Sequence, residues 1–185
     1  MKKTILFLFI LVFAHQLLAQ TPQLEVVDQA YFPGIQLNQN YDSAGVSDLW
    51  VYVAPDGEEY ILAGTIEGIG VIRSSNMSIL MTLPGPIRND SYYHRDIKVY
   101  RQYAYVASEC RGYREGVQIF DLSGLPDTVV YVKSLTDQII RSHNISIDTA
   151  HAKLYYTDAS GFEPGGVYDI SNPETEGIQC SDRRF

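Results

Sequence analysis

The strongest constraint on what this chain can fold into is a repeat. The segment His94 to Ser123, HRDIKVYRQYAYVASECRGYREGVQIFDLS, has counterparts both before and after it. Asp48, Asp96 and Asn144 stand 48 residues apart and lie in the segments SDLWVY, RDIKVY and HNISID. Ser75, Ser123 and Ser171 keep the same 48-residue spacing, and Asp121 in IFDLS is matched by Asp169 in VYDIS and by Arg73 in the first copy. Differences in length fall in the joints, as expected where strands are held by packing and loops are free to vary.

Inside one repeat the apolar residues come in short β-branched and aromatic runs: Ile97 and Val99, Tyr103 to Val106, Val117 to Phe120, and Val129 to Leu135. Polar or glycine-bearing joints separate them, so each run reads as a strand. The first repeat divides likewise near Leu49 to Val53, Tyr60 to Gly64, Gly70 to Arg73 and Ser78 to Leu83, and Pro55-Asp56-Gly57 supplies a turn. In the third, Ile145 to Ile147, Lys153 to Thr157 and Gly166 to Ile170 are strands. Four antiparallel strands in a period of about 40 to 50 residues point to a β-propeller rather than a helical solenoid. The expected fold class is therefore all-β, with about three four-stranded blades of a larger propeller over residues 47–93, 94–141 and 142–185.

The motifs RDIKVY, YAYVASE, GVQIFDLS, HNISID and YDISNP resemble the secreted LVIVD-repeat propellers of bacteria, also called choice-of-anchor B proteins. The resemblance spans roughly residues 24 to 173. It implies a propeller fold and a secreted or cell-surface location. It implies no catalytic residues. Family members continue for several more blades and often end in an anchoring segment, whereas this chain follows Pro173 with ETEGIQCSDRRF, which lacks apolar alternation. The expectation is a truncated copy, by a frameshift near Glu176 for example; completion by self-association is the alternative.

Residues 1–19 carry two lysines, an apolar run from Ile5 to Ala14 and the segment HQLLA, the three parts of a signal peptide. The run is too short to span a membrane, and no membrane span is expected once the leader is cleaved. Removing the leader lowers the 14 basic side chains to 12 against 22 acidic ones. So acidic a chain is repelled by phosphate, which argues against nucleic acid as a partner. Within residues 20–46, Gln23 to Ala30 reads as a strand that precedes the first repeat, followed by a loop rich in Asn, Gln, Gly and Pro. Cys110 and Cys180 fall at non-equivalent positions. Export would permit them to pair, but no metal or redox spacing is present.

In a propeller the residues just before each first strand gather at one end of the channel, together with the joints between second and third strands. Here that rim comprises His94, Arg95, Asp96, Glu109, Arg111, Tyr113, His143 and Asn144, the candidate ligand-binding residues. A structural role competes with this for Asp48, Asp96 and Asn144, because a carboxylate or amide repeated at each first strand can accept hydrogen bonds from the neighbouring blade. His94 and His143, with Asp96 or Asp148, contain the chemistry of a mixed nitrogen and oxygen metal site, but H-E-x-x-H spacing is absent, and hydrogen-bonded histidines are the simpler reading. Nucleophile elbows and phosphate-cradling glycine loops are also absent, so no catalytic residue and no cofactor is assigned. Two functions follow. One is a secreted or cell-surface binding module for a protein or glycan. The other is a hydrolase-like or metal-dependent enzyme with its site at the channel mouth.

Overall fold

The computed structural model describes residues 25–30, 32, 46–86, 94–110, 112, 114–157 and 165–174. Strands β1 (Leu49–Val53), β2 (Glu59–Gly64), β3 (Gly68–Arg73) and β4 (Ser78–Pro84) form one sheet, each strand antiparallel to the next. A second meander contains β5 (Arg95–Tyr100), β6 (Tyr103–Ser108), β7 (Val117–Asp121) and β8 (Val130–Leu135). The third has β9 (Asn144–Asp148), β10 (Lys153–Thr157) and β11 (Gly165–Asp169). The described residues are thus all-β and contain no helix. Among them, no helix is long and apolar enough to cross a membrane.

The sequence period is also a structural period. The register of β3 on β4 shifts between Val71 and Ile72, and that of β7 on β8 shifts between Ile119 and Phe120, the equivalent place one repeat later. After the third strand of each sheet, the amides of Ser74, Leu122 and Ile170 donate to the carbonyls of Glu59, Gln102 and Ala152. Asp121 and Asp169 each accept from the amide two residues on, at Ser123 and Ser171, both at 2.9 Å. These Asx turns are why an Asp-x-Ser ending recurs. Gly68 and Gly116 open β3 and β7 with φ of 153° and 86°. A Cβ there would come within 1.9 Å and 2.1 Å of the carbonyls of Leu83 and Leu135 on the adjoining strand, so only glycine fits.

The middle sheet has two buried faces. Tyr103, Tyr105 and Ala107 of β6, with Val117 and Ile119 of β7, pack in a core with Ile145, Leu154, Tyr156 and Tyr168 of the third sheet. The alternate residues Ala104 and Val106, with Ile97 and Phe120, pack with Tyr52, Tyr60, Leu62, Ile69 and Val71 of the first. Successive side chains of a strand point to opposite faces, so a strand serving two cores is apolar throughout. That is why YAYVAS has no polar alternation and is buried at every position.

Carboxylates connect the sheets at their first strands. Asp48 accepts the amide of Ile97 at 2.8 Å, and Asp96 accepts the amide of Ile145 at 2.6 Å. Ser47 Oγ accepts the amide of Arg95 at 3.2 Å in the first of these junctions. The recurring aspartates are thus linkers between sheets, as the spacing suggested.

Residues 25–30 depart from expectation. They form no strand, and Val26 and Val27 are exposed. Apolar β-branched residues do not make a strand without a partner to pair with. Residues 1–24 and 175–185, which include the proposed leader and Cys180, lie outside the described residues.

Two outcomes follow. Replacing Asp96 with Ala strands the Ile145 amide and should cost about 1–3 kcal/mol in denaturant unfolding, with Asp96→Asn costing less because an acceptor remains. An unchanged midpoint in Asp96→Ala would show the linker to be dispensable. At alkaline pH, Tyr103 is held neutral by burial and by donation to the Glu174 carboxylate, which push it up to about 12 from 10.0. Burial also raises Tyr105, and burial with the Asp137 hydrogen bond raises Tyr168. An unfolded chain loses these protons first, so the stability they contribute is complete below pH 10.0 and is lost as pH rises through about 12. The part of the tyrosinate absorbance that disappears when Tyr103, Tyr105 and Tyr168 are replaced by Phe should therefore rise together with loss of the sheet signal in circular dichroism, and not before it.

Candidate functional site

The site is assembled by the ladder and by the junction between the second and third sheets. Counting outward from the turn at Arg101 and Gln102, Arg95 pairs with Ser108, so His94 and Glu109 lie opposite one another just beyond the strands. The Glu109 amide donates to the His94 carbonyl at 3.4 Å, and Ser108 Oγ donates to the same oxygen at 3.3 Å. The Ser142 amide donates to the Ser108 carbonyl at 3.1 Å, which brings His143 to the same place.

Three side chains converge there. His143 Nδ1 lies 3.1 Å from Glu109 Oε1. The rings of His94 and His143 stack, with centroids 4.1 Å apart and planes inclined by 18°. One potential ligand atom from each of His94, Glu109 and His143 lies within 4.8 Å of the other two. His94 and Glu109 are partly buried, while His143 is exposed. His94 Nδ1 is buried and has no hydrogen-bond partner among the described residues. Burial, and then the adjacent His143, hold His94 below the usual histidine range.

Of the eight residues expected at the rim, His94, Glu109 and His143 form this cluster, and Asn144 lies exposed beside it at the start of β9. Arg111 and Tyr113 lie outside the described residues. Arg95 and Asp96 are corrections to the sequence reading. Both are buried, at 0 % and 5 % exposure. The Asp96 carboxylate is occupied by the Ile145 amide and by the Lys98 ammonium.

Arg95 turns inward as a bracket between sheets. Its Nε donates to the Thr65 carbonyl at 2.7 Å, and its Nη2 donates to those of Pro86 at 2.8 Å and Ile66 at 3.2 Å. Burial lowers its pKa, and the planar fork that can reach several carbonyls at once is particular to arginine. Asp148 is no candidate ligand for this cluster either. It ends β9, at the other end of the strand from His143, and bonds His151 Nδ1 at 2.6 Å.

The pairing of His94 with Glu109 was readable from the hairpin turn, by counting outward from it. The approach of His143 had no local signal, because it depends on contact between sheets. An open depression of about 510 Å³, lined by Gly112, Arg114, Glu115, Tyr131, Ser134 and Thr136, shares no residue with the cluster.

The fold and site thus define an all-β repeat protein with a His, Glu, His cluster where two sheets meet. Compared with protein-family models, with curated proteins and with solved structures, the chain matches none.

Arg95→Met should unfold at lower denaturant than the unsubstituted chain, because it leaves the carbonyls of Thr65, Ile66 and Pro86 without their donor, a loss of about 1–3 kcal/mol or more. Arg95→Lys should fall between the two. A variant of unchanged stability would return Arg95 to the ligand-binding residues.

Proposed function

We propose that the chain is a secreted or cell-surface interaction module built on successive blades of a β-propeller, and that it presents the end bearing His94, Glu109, His143 and Asn144 to a protein or glycan. The observation that carries this reading is the convergence of side chains from two successive repeats at one end of their first strands. Loops at the end of a rigid strand scaffold are the usual place for a binding surface.

The propeller reading has support of its own. Contacts run from β1 to β5 and from β5 to β9, so the first strands of consecutive sheets adjoin. Leu49, Val51 and Val53 are exposed on β1, with 57 %, 42 % and 56 % of their surface accessible, and in a closed ring of blades such a face would be covered. Export rests on the leader-like residues 1–19, and the LVIVD resemblance on the repeated motifs.

The test is saturable binding of the labelled chain to intact bacterial cells. A Glu109→Ala, His143→Ala double variant should lose it, and His151→Ala, at the opposite end of β9, should retain it. Prior treatment of the cells with protease or with periodate separates a protein receptor from a glycan. Binding that does not saturate, or that ignores the double variant, would overturn the proposal.

A further inference from the structure

We propose that His94, Glu109 and His143 form a binding site for a divalent transition-metal ion of the zinc type. Two of the chain's four histidines meet here with one carboxylate, although the three residues come from two different sheets. Two imidazoles and one carboxylate suit zinc and its first-row neighbours, whereas calcium and magnesium take oxygen.

The distances fit a shell that closes around an ion. Ligand atoms bonded at about 2.0–2.2 Å lie about 3.4 Å apart in a tetrahedral shell. The 3.1 Å between His143 Nδ1 and Glu109 Oε1 is already close to that edge. The remaining separations, up to 4.8 Å, must shorten, and the stacked imidazoles must open so that their lone pairs converge. His143 can do this because its side chain is 46 % exposed, whereas His94 and Glu109 are held by the ladder.

A second observation points to a missing partner. Buried polar atoms are nearly always hydrogen-bonded, yet His94 Nδ1 is buried without a partner among the described residues. Among the described acids near His94, Asp96 is already occupied by the Ile145 amide and Lys98, and Asp48 by the Ile97 amide, so Glu109, which already faces His143, is the carboxylate placed to serve.

Three protein ligands leave at least one coordination position for another group, the arrangement of zinc sites that exchange a ligand. At this end of the strands, that position would take a water or an anionic oxygen donor. The metal assignment stands whether or not the surface receives a macromolecular partner.

The test is calorimetric titration of the chelator-treated full chain with zinc ion, followed by cobalt ion as a visible reporter. The expected result is one equivalent of zinc bound at micromolar affinity or tighter, with cobalt showing the d–d absorption of a nitrogen and oxygen shell. His143→Ala and Glu109→Gln should each weaken zinc by about tenfold or more, the lower end of what even outer-shell changes cost. His143 is exposed, so its variant is expected to keep the fold, checked by an unchanged circular dichroism spectrum. His151→Ala should bind as the unsubstituted chain does. Absence of stoichiometric zinc, equal affinity for calcium, indifference to both variants, or equal loss in His151→Ala would each overturn the site.

Discussion

The interaction on which the rest depends is a carboxylate that reaches from one sheet to the backbone of the next. Asp48 and Asp96 lie at the approach to β1 and in β5, and each accepts the amide of the residue 49 positions later. An ionised acceptor on a backbone donor makes a short, strong bond. Because the donor is buried or partly buried, breaking the bond costs the full desolvation of the amide. The bond also fixes position. It sets β9 against β5, which brings residues 142 and 143 beside Ser108 and Glu109, so the cluster geometry follows from a contact made two residues from each histidine.

Much of the fold was legible because it repeats. The constant spacing of Asp48, Asp96 and Asn144 placed the first strands, and all eleven described strands fall within two residues of the apolar runs at both ends. β5 is drawn more narrowly by its apolar pattern, Ile97 and Val99, because its flanking Arg95 and Asp96 are polar yet buried. Residues 25–30 show the converse. EVVDQA has strand composition, yet pairing is a property of two segments, and among the described residues no strand pairs with this one.

The site was legible in part. His94, Glu109 and His143 were marked by their place next to strand ends, but their mutual contact was not, since His143 occupies the repeat position of Arg95 and Ser47 rather than that of His94. Arg95 misled for a related reason. A charged residue beside a loop ordinarily faces water. Here the neighbouring sheet offers three carbonyls, and the guanidinium is drawn inward to them.

The two-faced middle sheet has a mechanical consequence. Its two faces belong to different cores, and each junction is closed by a carboxylate at or just before the start of a first strand, so load applied along the chain would pass from sheet to sheet through β1, β5 and β9 in series. In repeat architectures of this kind each unit answers mainly to its neighbours. Under tension, the sheet bounded by two such junctions would be the last of the three to come apart, and the histidine cluster, which spans one of those junctions, would open as soon as that junction slipped.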